Sequence, residues 1–175
     1  MRIYLIGYSY VGKTTMGRQL ASMLGYNHFD TDKAIEIKYH TSISMLINHY
    51  SEEAFRIIEK QVLHSTAELD NVVISTGGGT ACNDENIRFL LDHGVVVHMQ
   101  MTIDDIIERM KTSRRSRPLL SGLNDSERRL FISKHLAERM PYYSLAPISI
   151  KALNATPEEI ISLIREYQSQ ASVLY

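Results

Sequence analysis

One cysteine, no tryptophan, no long apolar run and no excess of charge of either sign mark the 175-residue chain, and each shortage excludes something. With Cys82 alone there is no intrachain disulfide, which suits a reducing compartment, and the thiol reads as a small packing residue rather than a reactive group. No stretch reaches the roughly 18 apolar residues that a membrane span needs. The apolar run behind Met1 is too short for a signal-peptide core and ends in a glycine loop, so a cytoplasmic protein without membrane contact is expected. Ten tyrosines and no tryptophan make no obvious stacking platform for single-stranded nucleic acid. Nineteen basic against twenty acidic residues leave a net charge of -1; no global field holds duplex DNA, and any phosphate has to be gripped locally. The seven histidines lack metal-ligand spacing, so no transition-metal site is expected.

Repeats, linkers and low-complexity tracts are missing too, which argues for one domain over residues 1–175. That length buries roughly 70% of the surface of the unfolded chain, enough for a core without staples. Hydrophobic residues at 44% and charged residues at 22% are the proportions of an ordinary globular domain. Short apolar runs bounded by turn residues predict strands at 2–6, 27–29, 72–75, 95–100 and 148–150. Helical spacing predicts helices at 12–24, 32–39, 43–50, 52–69, 83–93, 103–111, 126–140 and 157–168. Strand alternating with helix means an α/β fold with a mostly parallel sheet, because parallel neighbours need crossover connections. Thr156, Pro157 and Glu159 form an N-cap, a first-turn proline and a capping box for the last helix. Residues 112–124, with Arg114, Arg115, Arg117, Pro118 and Gly122, show no sustained period. A polar loop of that length inside one domain is usually functional or disordered.

Directly behind the first strand comes Gly7-Tyr8-Ser9-Tyr10-Val11-Gly12-Lys13-Thr14-Thr15, the G-x-x-x-x-G-K-[ST] pattern between a strand and a helix. Glycines let the backbone wrap so that successive N–H groups point at a phosphate, and the helix start adds partial positive charge. Lys13 would reach the β- and γ-phosphates and Thr14 would ligate Mg²⁺, so the pattern means a nucleoside triphosphate without specifying the reaction. His28-Phe29-Asp30-Thr31-Asp32 then ends the second strand with two acids. At the carboxyl edge of such a sheet they flank the ligand crevice, where Asp30 would serve the metal side and Asp32 would take the proton of a substrate hydroxyl. The competing possibility is that an acid here merely caps the following helix.

Taken together, the phosphate loop, Phe29-Asp30-Thr31-Asp32, Phe55-Arg56 with Glu59, Ser75-Thr76-Gly77-Gly78-Gly79, Arg117-Pro118-Leu119-Leu120, and Arg139 with Pro141 and Tyr143 resemble the shikimate kinase family. The likeness runs from Ile3 to about Pro157 and rests on order and spacing. It implies a three-layer P-loop kinase fold: a central five-stranded parallel sheet flanked by helices, a substrate-binding subdomain at about 32–60 and a mobile lid at about 112–124. It also implies transfer of the γ-phosphate of ATP to the 3-hydroxyl of shikimate with Mg²⁺; the enzyme is expected to be a monomer. Gly7, Val11, Gly12, Lys13, Thr14, Thr15, Arg109, Arg117 and Pro157 would then serve the nucleotide. Asp32, Arg56, Gly77, Gly78, Gly79 and Arg139 would serve shikimate, and Thr14 and Asp30 the metal, with Lys13, Asp32 and Arg117 catalytic. A guanidinium fork matches a carboxylate in bidentate fashion, which fits Arg56 and Arg139, although Arg56 beside Glu52, Glu53 and Glu59 also has the spacing of a solvated helix pair.

The chain departs from the family in three places. Tyr10 stands where the family commonly has a third glycine; a left-handed backbone there would cost about 1–2 kcal/mol. Ser51 replaces a small residue or glycine, and Arg109 is one step out of register with the adenine-stacking arginine. A kinase for gluconate or a nucleotide, or an ATP-binding module without catalysis, are the alternatives.

Overall fold

A computed structural model describes residues 1–113 and 124–173. The chain runs β1 (Arg2–Ile6), α1 (Lys13–Leu24), β2 (Asn27–Asp30), α2 (Thr31–Tyr39), α3 (Ile43–His49), α4 (Glu52–Ser65), β3 (Val72–Ser75), α5 (Asp84–His93), β4 (Val95–Gln100), α6 (Ile103–Thr112), α7 (Asp125–Tyr143), β5 (Ile148–Lys151) and α8 (Pro157–Val173). The strands pair in parallel in the order β2-β3-β1-β4-β5. β1 is central, and its Ile3, Tyr4, Leu5 and Ile6 are fully buried, the uninterrupted apolar run expected of a strand covered on both faces. Alternation along β1 and β4 divides the core into two layers. Ile3, Leu5, Val97 and Met99 join one cluster with Leu20 and Ile160, while Tyr4, Ile6, Val96 and Ile74 join another with Leu63, Leu90 and Tyr143. The result is the three-layer arrangement the motifs imply.

Register positions the site. Leu5 lies opposite Ser75, and Ser75 opposite Asp30, so the segments that follow β1, β2 and β3 leave the sheet side by side at its carboxyl edge, where α/β sheets bind ligands.

Three helix ends differ from the pattern by three residues or more; the last helix, expected to end at 168, runs on to Val173, and the other two have local causes. The helix expected to reach 69 stops at Ser65, followed by a 3₁₀ turn over Thr66–Glu68. There the Ser65 hydroxyl donates to Val62 O at 2.8 Å and the Thr66 hydroxyl to Leu63 O at 2.6 Å, side-chain competition that closes off the last turn. The helix expected to end at Met140, before Pro141, instead runs on to Tyr143 with Pro141 inside it. Proline there removes one hydrogen bond near the end of the helix, and Tyr143 is held by the core beyond it.

His98 of β4 is only 2% exposed. Burial, and then the nearby Lys13 charge, pull its pKa down to about 4. The unfolded chain therefore binds a proton here that the folded chain refuses. Stability from neutral His98 is complete above about pH 6.5 and is lost as pH falls towards 4, by about 3 kcal/mol in all. Denaturant unfolding of wild type and His98→Phe across pH 7 to 4 checks this: the variant should show a shallower pH slope, and parallel slopes would refute it.

Candidate active site

Seven α-helices, α2 to α8, begin with a side chain that accepts a hydrogen bond from the helix backbone. α1 does not: Gly12 precedes it, with φ 96° and no side-chain cap. Its first-turn N–H groups, which no side-chain cap accepts from, and its dipole are what a phosphate uses. Gly7 cannot be replaced cheaply, since its φ is +137° and a Cβ there would stand 2.4 Å from Met99 O. The Lys13 ammonium folds back over the loop, donating to Gly7 O at 2.7 Å and Tyr8 O at 2.8 Å. Val11 is buried in the core, whereas Thr15 is exposed on the first turn of α1. Arg109 comes from α6 to donate to Val11 O at 3.0 Å, so despite its shift in register it reaches the phosphate loop.

Tyr10 takes φ 69°, the left-handed conformation that glycine would supply more cheaply. Tyr10→Gly should therefore leave the unfolding free energy within about 1 kcal/mol of wild type, because strain relief offsets the entropy of a new glycine. Tyr10→Val, β-branched in the same conformation, should lose about 1–2 kcal/mol. Equal denaturation midpoints for Tyr10→Val and wild type would contradict this.

The two acids divide as the strand register dictates. Asp30, at the end of β2, accepts from the Thr14 hydroxyl through Oδ2 at 2.6 Å and from the Lys33 N–H through Oδ1 at 3.0 Å. It is thus both the cap of α2 and the partner of the phosphate-loop threonine. This pair of neighbouring hard oxygens fits Mg²⁺, which takes one or two protein oxygens and completes its shell with phosphate and water. Asp32, one residue into α2, is half-buried and faces the triple-glycine loop. A Cβ at Gly77 would stand 2.7 Å from Asp32 Oδ1, 2.7 Å from Thr80 Oγ1 and 2.8 Å from Glu59 Oε1, so this first glycine makes room for three oxygens.

Arg56 and Arg139 meet at the same loop. With Gly79, Cys82 and Asn86 they line a cavity of about 450 Å³, and Arg56 Nη1 is 3.0 Å from the Cβ position of Gly79. The Arg139 guanidinium lies 5.2 Å from the centre of the Tyr8 ring and donates to Gly78 O at 3.2 Å. Arg56 does make the helix pairs its spacing allows, with Glu52 and Glu59 at 2.8 Å each, but the two partners differ. Glu52 is exposed, whereas Glu59 is 2% exposed and also accepts from Thr80 Oγ1 at 2.6 Å. Glu59 is therefore a buried brace for Arg56. The Glu at i+3 was the only sequence signal for that role, and it looks the same as the signal of a surface pair. Cys82 is half-buried and burial pushes its thiol up, in keeping with a packing residue.

A larger cavity, about 1140 Å³, opens on the β4–β5 side and is lined by Val11, Thr102, Asp105, Asn154, Ala155 and Glu159, among others. Asn154 and Ala155 lie just before α8, which Pro157 begins. Arg117, with Pro118, Leu119 and Leu120, and most of the lid at 112–124 lie outside the described residues.

The chain is similar to known proteins over most of its length. The family model for shikimate kinase matches residues 10–168. The shikimate kinase of Parabacteroides distasonis is 38% identical over 151 residues, 86% of this chain and 87% of that one. Among solved structures, the shikimate kinase of Bacteroides thetaiotaomicron superposes with a TM-score of 0.86 at 34% identity over 98% of both chains. The shikimate kinase of Acinetobacter baumannii in complex with shikimate gives 0.80 at 31% identity over 98% of this chain and 93% of that one. Since the family model matches residues 10–168 and these relatives, 31–38% identical, cover more than four fifths of both chains, the chain belongs to the shikimate kinase family.

Proposed function

We propose that Asp32 is the base in the transfer of the γ-phosphate of ATP to the 3-hydroxyl of shikimate, giving shikimate 3-phosphate and ADP. The observation that carries this assignment is the convergence of Asp32, Gly77 and the cavity shared by Arg56, Gly79 and Arg139 at one end of the sheet, beside the Lys13 loop. Arg56 and Arg139 grip the substrate carboxylate and hold the ring, and Asp32 accepts the hydroxyl proton as the oxygen attacks. Lys13 and the N–H groups at the start of α1 stabilise the phosphoryl oxygens. Arg109 braces the phosphate loop from α6. Thr14 and Asp30 would hold Mg²⁺, which supplies charge neutralisation on the β- and γ-phosphates when bound. Arg117, assigned on resemblance alone, adds charge stabilisation when the lid closes. The enzyme is a cytoplasmic monomer in this reading; among the described residues no helix is long and apolar enough to cross a membrane.

ADP release measured with ATP, Mg²⁺ and a panel of shikimate, other hydroxylated ring acids, gluconate and nucleoside monophosphates tests the assignment. Shikimate should be turned over well above the others, and background rates with shikimate would reject it. Arg139→Lys should raise the shikimate KM with little change in kcat, because the lost fork grips ground and transition states alike. An unchanged KM would take Arg139 out of the site.

A further inference from the structure

Three glycines in a row make the most permissive backbone a chain has, so a loop that must present fixed peptide groups to a ligand needs outside anchors. Most anchors of Gly77–Gly79 are local or come from the start of α2. Gly77 N–H donates to Thr31 Oγ1 at 3.1 Å, Thr80 N–H donates to Gly77 O at 3.3 Å, and Cys82 N–H donates to Gly79 O at 3.0 Å. The Gly78 carbonyl is different: its two stronger donors come from α7. They are Arg139 Nη1, at 3.2 Å, and the hydroxyl of Tyr143, with the Cys82 thiol at 4.0 Å as a weak third.

Arg139 and Tyr143 are four residues apart on one helix and so share a face, although 61 and 65 positions separate them from Gly78. Their roles diverge once substrate arrives. A carboxylate that takes the Arg139 fork competes for the N–H groups now given to Gly78 O. Tyr143 has no such competitor. It is 1% exposed, its ring packs in the core 4.8 Å from that of His98, and burial holds its hydroxyl protonated as a donor.

We propose that Tyr143 is a positioning residue for the acceptor site: its hydroxyl holds the Gly78 carbonyl, and with it the plane of the Gly78–Gly79 peptide, while Arg139 turns to the substrate. Because the carbonyl and the following N–H of a trans peptide point in opposite directions, holding the one also fixes the N–H of Gly79, a residue that lines the cavity Arg56 and Arg139 share. The inference rests on the proposed role of Arg139 at the substrate carboxylate.

Tyr143→Phe removes the donor and keeps the ring. It should raise the KM and the Kd for shikimate by about three- to tenfold, the worth of one hydrogen bond, with kcat within about twofold and the KM for ATP unchanged. Arg139→Lys should also raise the shikimate KM, and the double variant should lose less than the product of the two single effects, since both act on one carbonyl. Amide hydrogen exchange supplies a second readout: in Tyr143→Phe the 76–80 segment should exchange faster while β1 and β4 keep their protection.

An unchanged shikimate KM or unchanged loop exchange in Tyr143→Phe, beside a raised KM in Arg139→Lys, overturns the role of Tyr143 alone. Shikimate and ATP KM rising together would mean general loosening and overturns it as well. An unchanged KM in Arg139→Lys overturns the assignment of the acceptor site, and this inference with it.

Discussion

Asp32→Asn should lower turnover of shikimate by about 10²–10⁴-fold, the range for removing a general base, while ATP binding stays near wild type. The separation follows from where Asp32 sits. It belongs to the first turn of α2 and faces Gly77, whereas the phosphate-loop lysine donates to Gly7 O and Tyr8 O. Asparagine keeps the size and the first-turn position but has far less affinity for a proton. Calorimetric ATP titration alongside steady-state turnover reads both quantities. Full turnover in the variant would make Asp32 a helix-start residue only and move the base elsewhere; joint loss of ATP binding would mean the substitution disturbs the nucleotide loop rather than proton transfer.

A second large effect is expected at Glu59, which braces Arg56. One oxygen accepts from Arg56 and the other from the fully buried Thr80 hydroxyl. Glu59→Gln keeps the volume but replaces one acceptor with an NH₂ donor, so either Arg56 or Thr80 faces a mismatched group. The loss should be about 1–3 kcal/mol of unfolding free energy, the range for a buried charged hydrogen bond, with about a tenfold higher shikimate KM as Arg56 loses its fixed orientation. Glu52 offers the control. It pairs with the same arginine at 2.8 Å, but from an exposed position, where an ion pair contributes about 0–1 kcal/mol. Glu52→Gln should therefore change little. Denaturant unfolding and steady-state kinetics on the two variants decide the matter, and equal effects at 52 and 59 would sink the distinction between brace and surface pair.

Much of this architecture is legible in the order of residues alone. β1, β3 and β4 fall on the residues their apolar runs predict, because a central parallel strand has to be apolar on both faces and nothing else in a domain of this size has to be. The cap of α8 is spelled out by Thr156 with Glu159, and α7 opens on the same device with Asn124 and Glu127, since a capping box closes within four residues. The phosphate loop is equally local, a strand, a glycine turn and a helix start in sequence.

Other features escape a one-dimensional reading for identifiable reasons. The end of α4 depends on whether two hydroxyls turn back onto the helix carbonyls, and serine and threonine do so in some contexts only. Asp30 carries two duties, which the sequence presents as alternatives, because its two carboxylate oxygens point at different neighbours. The strain at Tyr10 shows only in its φ of 69°.

By itself, then, the sequence determined the order of strands and helices, where most of them start, and the loop that grips phosphate, all of them decided by interactions that reach no more than a turn or two along the chain. Only the tertiary structure decided which arginine pairs with a buried glutamate and which with a backbone carbonyl, and which tyrosine donates to the glycine loop. Arg56 has glutamates at several spacings, and the one that matters is the one that packing sealed from water. Arg139 reaches Gly78 across 61 positions, a meeting fixed by the parallel register of the sheet and the packing of α7 against it, to which no short-range rule extends.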